Sequence, residues 1–403
     1  MSIRENFKSL SLSRFLEEIE VKDLLWIVKR LSGNDTGLTG GHQAGLYLPR
    51  IFFEKAVPEI CSTHIYNPDA YIAECYFPQC DSLNENLRAI YYNSKFFPEK
   101  KLQKKYNEFR ITKWGGSNSP VQDVENTGSL CVLAFGKKED KSFFVVWVAS
   151  SIEEEDLIEE WLGCSVEPGR FELRGIHDQA KRKIDLPEDW NGRFPSGKEI
   201  FDFTIKKLPK NYRSLTIDKL LLERRELEFS IFEIIEQAAI LPRIHQGFSN
   251  VEEFIKYAHT VSNRRKSRAG TSLELNLEII FRDEEITFEM QAVTENHKKP
   301  DFLFPSSTAY HNSNFPVSKL NMLAAKTCCK DRWRQVINEA DRIITKHLFT
   351  LQEGVSENQF KEMKDNHVAL VIPEPHLTKF PENCRADLIT LGGFVKFIKQ
   401  QQI

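Results

Sequence analysis

Two kinds of hydrophobic patterning share this chain, and they change over near its middle. Up to about residue 175, short apolar runs at 47–53, 130–135 and 143–150 alternate with turn clusters such as GNDTGLTGGHQAG (33–45) and GGSNSP (115–120). Runs this short, closed by Gly, Asn and Pro, predict a β-rich domain. SIEEEDLIEEW (151–161) departs from that pattern and predicts an acidic amphipathic helix. Beyond residue 212 the apolar spacing becomes three and four over 220–241, which predicts a long helix. A second helix is expected at 271–281 and an alternating strand at 286–293. Short strands at 301–305 and 322–329 follow, then a helix at 331–344, a strand at 346–351, a helix at 357–364, a strand at 367–372 and a terminal helix. Strands alternating with helices predict an α/β layer around a mixed central sheet. Between the two patterns, 176–211 is rich in charge, Pro and Gly and reads as a linker. The expected organisation is therefore a β-rich domain over 1–175, a linker over 176–211 and an α/β domain over 212–403.

A chain of 403 residues can bury two separate cores. Its 55 Lys and Arg nearly cancel its 58 Asp and Glu, so only local clusters can speak for a nucleic-acid partner. The longest apolar run, 143–149, is far too short to span a bilayer. Residues 1–10 hold no apolar signal core, and a cytoplasmic protein is expected. Cys75 and Cys80, with His64 nearby, lack the second ligand pair that zinc would need, so free and mostly buried thiols are expected.

Chemistry concentrates between Pro300 and Glu339. Asp301 enters the apolar run Phe302-Leu303-Phe304, Lys326 ends the run Met322–Ala325, and Glu339 lies on the expected helix at 331–344. Phosphodiester hydrolysis needs oxygen ligands for a divalent cation and a positive group near the crowded phosphate. Two carboxylates and a lysine gathered at strand ends meet that need. Each has a plainer alternative: Asp301 in a turn after Pro300, Glu339 paired with Arg342, Lys326 snorkelling from a strand end. The usual acid two residues before the lysine is missing, because Ala324 stands there. Glu274 fits a capping box with Thr271 as N-cap. The basic run Arg264-Arg265-Lys266-Ser267-Arg268 suits either DNA phosphates or a solvated turn. Lys330-Asp331-Arg332 offers donor, acceptor and donor for adjacent G·C pairs, or simply a charged first helical turn.

The runs SNRRKSRAGTSLE (262–274), KKPDFLFPS (298–306), KDRWRQVINEAD (330–341), HLFTLQEGVS (347–356), LPEDWNGRFPSG (186–197), NDTGLTGGHQAGLY (34–47) and RAIYYNS (88–94) resemble the EcoRII family of type II restriction endonucleases, in the same order through nearly the whole chain. The resemblance implies a Mg²⁺-dependent homodimer that cuts double-stranded DNA at CCWGG (W being A or T) ahead of the first C. It also implies a cognate methyltransferase. The implied nuclease core is of the variant type whose second acid is displaced onto a helix, so Ala324 and Glu339 belong together. By position, Asp301 and Glu339 are metal-site carboxylates, Lys326 is the catalytic lysine, Glu274 is a supporting acid, and Tyr310 also belongs to the site. Lys330, Asp331 and Arg332 match the reader of the outer C·G pairs. Arg225 and Phe229 match a pocket for a base flipped out of the helix, with Phe229 in place of the family's tyrosine. The N-terminal half resembles an effector-binding pseudobarrel that takes a second copy of the site and otherwise blocks the nuclease. Its DNA-contacting positions correspond to His42, Tyr47, Lys104, Glu108 and Arg110, while Tyr106 and Phe109 replace basic residues. A DNA-binding regulator without catalysis, or a purely structural protein, fits Asp301, Lys326 and Glu339 less well.

Overall fold

The residues at 143–149 are apolar without interruption because their strand is covered on both faces. The computed structural model describes residues 3–40, 45–100, 105–139, 141–174, 184–190 and 193–403. Its N-terminal half contains strands β1 (Leu25–Arg30), β2 (Leu46–Leu48), β3 (Asp69–Phe77), β4 (Ser82–Tyr92), β5 (Glu108–Thr112), β6 (Leu130–Lys138), β7 (Lys141–Val148) and β8 (Phe171–Arg174). Helices α1 (Ile3–Phe7), α2 (Leu12–Val21), α3 (Arg50–Ala56) and α4 (Ile152–Leu162) accompany them. The strands form one eight-stranded sheet in the order β2-β5-β4-β3-β7-β6-β1-β8, antiparallel except for β3 beside β7. Successive residues of β7 point to opposite faces. Phe144, Val146 and Val148 join a core with Phe52, Phe53 and Trp114, and Phe143, Val145 and Trp147 join another with Phe15, Leu16 and Ile158. The expected strand at 47–53 is corrected: three residues pair as β2, and beyond Pro49 the chain becomes α3, whose Phe52 and Phe53 enter the first core.

The C-terminal half begins with α5 (Gly197–Lys207), α6 (Ile217–Gln246) and α7 (Val251–Asp283), followed by β9 (Glu289–Met290), β10 (Phe302–Phe304) and α8 (Ser307–His311). Then come β11 (Asn321–Lys326), α9 (Trp333–Val336), β12 (Lys346–Thr350), α10 (Glu357–Asp365), β13 (Val368–Ile372), β14 (Ile389–Thr390) and α11 (Leu391–Gln402). Six strands make a mixed sheet in the order β14-β13-β12-β11-β10-β9, with β9, β10 and β11 antiparallel and β11 to β14 parallel. Leu273, Leu277 and Phe281 of α7 cover one face with Phe394 of α11, and Trp333, Phe360 and Met363 cover the other. The expected α/β layer with a mixed sheet is present.

Four expectations here are revised. The segment read as linker contains α5, closed by a Ser196–Glu199 capping box, and Ile200 packs on Ile231 and Phe232 of α6. The strand at 286–293 shrinks to two residues. The helix expected at 271–281 is the end of a 33-residue helix, so Thr271 is no N-cap and the Thr271–Glu274 capping box does not form. The helix at 331–344 is reduced to the four residues of α9, and Ala340 adopts a left-handed φ of 49°.

The halves meet backbone to backbone. Gly33 N donates to Glu353 O at 2.7 Å, and a Cβ on Gly33 would stand 2.5 Å from Lys379 O. A Cβ on Gly354 would stand 2.7 Å from the same carbonyl, and one on Gly128 would meet the Gln352 amide at 2.6 Å. Gln352 Oε1 in turn accepts from the backbone N–H groups of Cys329 and Lys330.

Candidate active site

Asp301 precedes β10, and Lys326 ends the antiparallel neighbour β11, so pairing of Phe302 with Leu323 brings the two side chains to the same end of the sheet. Asp301 is 8% exposed. Its Oδ2 accepts from Ala325 N at 2.8 Å and lies 3.4 Å from Lys326 Nζ, while its Oδ1 accepts from Gln291 Nε2 at 3.0 Å. The acceptor bonds fix the carboxylate so that the lysine ammonium sits beside it.

Glu339 approaches from the turn after α9. Burial pushes its carboxyl up to about 7; Lys326 opposes the rise and Asp301 adds to it. Its Oε2 is buried without a hydrogen-bond partner. A buried carboxylate oxygen left open beside an acid and a lysine is what a divalent cation would complete. Among the described residues, no three His, Cys, Asp or Glu side chains form a ready metal cage, around Cys75, Cys80 and His64 or elsewhere. Mg²⁺ does not require one, since it keeps waters and takes one or two carboxylates plus phosphate oxygens. The eight cysteines are free, and six of them are buried.

Glu274, released from the capping role, faces the same centre. Burial raises its carboxyl, Asp301 raises it further and Lys326 lowers it. Tyr310 is buried, and its hydroxyl lies 2.6 Å from both carboxylate oxygens of Glu295. It reaches the turn carrying Glu339, with the Arg342 N–H donating to it at 3.1 Å.

The proposed DNA readers touch the N-terminal half. Lys330 Nζ donates to Ser129 Oγ, Arg332 Nη2 lies 3.6 Å from Asp156 Oδ1, and Asp331 pairs with Arg334 at 2.9 Å. The contact is closest around Arg225. Its guanidinium is paired with Glu167, which also pairs with Arg268, and it donates to Ser272 Oγ at 3.0 Å. Burial works against the Glu167 charge, but Arg225, Arg268 and Arg170 together hold its carboxyl down to about 2. Two guanidiniums lie over the Phe229 ring, those of Arg170 at 3.8 Å and Arg268 at 4.6 Å from its centroid. Glu167 is held from behind: Arg30 Nε donates to Val166 O at 2.7 Å, and Val166 N donates to Glu159 at 3.0 Å. The basic run at 264–268 is thus engaged inside the protein, with Arg265 bonded to Glu236 at 2.6 Å and Arg264 over the Phe194 ring at 4.5 Å.

On the N-terminal sheet, Tyr47, Glu108 and Arg110 line a cavity of about 290 Å³ whose other wall includes Arg170, Glu353 and Lys379. Arg110 bonds Glu108 at 3.0 Å, and Lys29 Nζ donates to Tyr47 O at 3.0 Å. His42 and Lys104 lie outside the described residues. Phe109 is 3% exposed and stacks 4.0 Å from the Tyr91 ring, on the opposite face of β5 from Glu108 and Arg110. Its replacement of a basic residue therefore takes nothing from the face that carries Arg110. The backbone N–H of Tyr106 donates to Ser94 Oγ at 2.8 Å.

An acid, a lysine and a second, half-buried acid with an open oxygen, gathered at one end of a mixed sheet, have the donor set of a DNA-hydrolysing enzyme. Residues 232–395 match the family model for the EcoRII C-terminal domain, and residues 20–175 match that for the N-terminal domain of restriction endonuclease EcoRII. The type II restriction enzyme EcoRII of Escherichia coli is 46% identical over 395 residues, covering 94% of this chain and 95% of the relative. The chain belongs to the EcoRII family of type II restriction endonucleases and is a site-specific deoxyribonuclease. Two solved complexes of metal-depleted Ecl18kI with uncleaved DNA align at TM-scores of 0.43 and 0.42, with 19% and 20% identity. Each covers 52% of this chain and 79% of the other. No described helix is long and apolar enough to cross a membrane.

Proposed function

We propose that the chain cleaves duplex DNA at CCWGG ahead of the first C, with Mg²⁺ held by Asp301 and Glu339. The observation that carries the chemistry is the open, buried Glu339 oxygen facing Asp301 and Lys326. Bound there, the metal would supply Lewis-acid help to the attacking water and the phosphate. Lys326 places a positive charge where negative charge grows, and Glu274 adds acidic character to the same wall. Cleavage of plasmids with and without CCWGG, in Mg²⁺ and in chelator, tests the reading. Equal cutting of both plasmids would overturn the site assignment.

Protonation of Glu339 should gate activity. A carboxyl held near about 7 is largely neutral below that pH and a poor cation ligand. At limiting Mg²⁺, the cleavage rate is expected to rise with pH through about 7, and the midpoint should move to lower pH as Mg²⁺ increases. A profile flat across neutrality would detach Glu339 from the metal.

Sequence reading falls to Lys330, Asp331 and Arg332. Arg332→Ala should lose ~1–3 kcal/mol of discrimination against a mismatched outer pair, because a bidentate arginine–guanine contact is worth about that much. Uniform weakening on matched and mismatched duplexes at fixed salt would reassign Arg332 to phosphate. Arg225 and Phe229 take the displaced central base, by stacking alone where a tyrosine could also hydrogen-bond.

Regulation completes the proposal. The curled sheet of residues 1–175 acts as the effector pseudobarrel, binding a second site through Tyr47, Glu108, Arg110, His42 and Lys104, and it holds the nuclease closed until then. The functional assembly is a homodimer working beside a cognate methyltransferase. Occlusion is supported by Glu167 and Arg170, which fill the positions around Arg225 and Phe229 that a nucleotide would take, and by Ser129 and Asp156 on the readers.

A further inference from the structure

Glu339 sits on a turn that neither a helix nor a strand supports. Past Val336 the chain runs through left-handed Ala340, and the helical ladder stops. Isolated turn bonds remain, Glu339 N to Val336 O and Ile343 N to Ala340 O, and side chains from other elements bond the backbone around them. Lys298 Nζ donates to Asn338 O at 2.5 Å. Lys346 Nζ donates to Ala340 O at 2.7 Å and also to Ile343 O. Asp341 N donates to Glu295 at 3.2 Å, and Glu295 is tied to the Tyr310 hydroxyl that receives Arg342 N. Asn338 O, Ala340 O, Asp341 N, Arg342 N and Ile343 O thus each have an outside partner.

Lys346 is the unusual member. It is 5% exposed, it opens β12 beside the strand that carries Lys326, and its ammonium is spent on two carbonyls. Burying a charge is costly unless it is hydrogen-bonded, and the two carbonyls of the turn supply those bonds. Burial works against its charged form and prevails, with Asp341, Glu295 and Glu339 opposing it in part.

We propose that Lys346, supported by Glu295, Lys298 and the Tyr310 hydroxyl, is a positioning residue that holds the Glu339 turn against Asp301 and Lys326. It replaces the helix that the sequence pattern leads one to expect under this acid. The inference rests on the reading of Glu339 as a metal-site carboxylate. None of these groups touches the phosphate; they act through where Glu339 stands, and an active-site group misplaced by about 1 Å can lose about 10²-fold in rate.

The test measures Mn²⁺ affinity of the full-length protein by electron paramagnetic resonance, with melting temperature and DNA affinity in chelator alongside. Lys346→Met and Glu295→Gln are each expected to weaken Mn²⁺ binding by about 10–100-fold, the usual effect of losing an outer support of a metal ligand. Lys298→Ala should act in the same direction but less, because its bond is made nearer the surface. Glu339→Gln, measured in parallel, separates the two claims. If it weakens Mn²⁺ binding and Lys346→Met does not, the bracket is overturned while the metal reading stands. Should Glu339→Gln itself leave Mn²⁺ binding intact, the metal reading falls. If Lys346→Met does not fold, Glu295→Gln and Lys298→Ala decide, and wild-type Mn²⁺ affinity in both overturns the bracket.

Discussion

Replacing Lys326 with alanine is expected to slow cleavage by at least ~10²–10³-fold, the loss typical of removing a single charge-stabilising group from the transition state, while DNA affinity stays nearly unchanged. The ammonium lies 3.4 Å from Asp301 on a side chain 27% exposed, so it is held beside the acid yet partly open to solvent. On the proposed reading the group acts on the phosphate and not on base identity. Its removal should therefore lower kcat and kcat/KM together. Single-turnover cleavage with saturating enzyme, beside a binding titration in chelator, checks both halves of the expectation. A variant cutting at a tenth of the wild-type rate would show that another group carries the chemistry.

The second large effect concerns the N-terminal half. A fragment starting at Leu186 should cut a one-site plasmid at least about tenfold faster than the full chain. Leu186 is a sound starting point because it packs with Trp190 and Ile200 against Ile231 and Phe232, so the fragment keeps α5 and its small core. On the proposed reading, closure would compete with DNA for Arg225, Phe229, Lys330 and Arg332, all of which contact the N-terminal half. Each ~1.4 kcal/mol of closed-state preference lowers apparent affinity about tenfold. Glu167→Gln should fall between fragment and full chain, since a neutral amide leaves Arg225, Arg268 and Arg170 mutually repelling while Ser129 and Asp156 stay in place. Breaking one side of a buried ion pair is worth ~3–5 kcal/mol, enough to shift a two-state closure strongly. Equal rates for fragment, variant and full chain on one-site DNA would remove autoinhibition from the account.

The sequence pattern is most informative where burial is symmetric and local. The run at 143–150 and the strands at 301–305, 346–351 and 367–372 emerge as expected because their residues face covered surfaces on both sides of a sheet. It is least informative where tertiary partners outbid local preference. Residues 331–344 have helical spacing, but Ala340 turns left-handed, and Lys346 bonds the Ala340 and Ile343 carbonyls beside the single turn bond from Ile343 N to Ala340 O. Thr271-Ser272-Leu273-Glu274 has the composition of a capping box and lies deep inside α7. The opposite error occurs at Ser196-Gly197-Lys198-Glu199, where a true capping box was legible, but the surrounding Pro, Gly and charge made the segment read as linker. Asp301, Lys326 and Glu339 could be named as candidates from their chemistry. Glu167, Lys346 and Glu295 could not, because nothing in local spacing tells a buried partner from a solvated charge.

Gly33, Gly128 and Gly354 give the junction a one-sided tolerance to change. Where side chains meet, a contact can be trimmed or enlarged by single methylenes, and selection can tune it in either direction. At Gly33 and Gly354, where backbone meets backbone, and at Gly128, where backbone meets the Gln352 amide, every coding change adds atoms, and every addition is a wedge. Mutational drift at these codons therefore runs in one direction only, towards a looser contact between the halves.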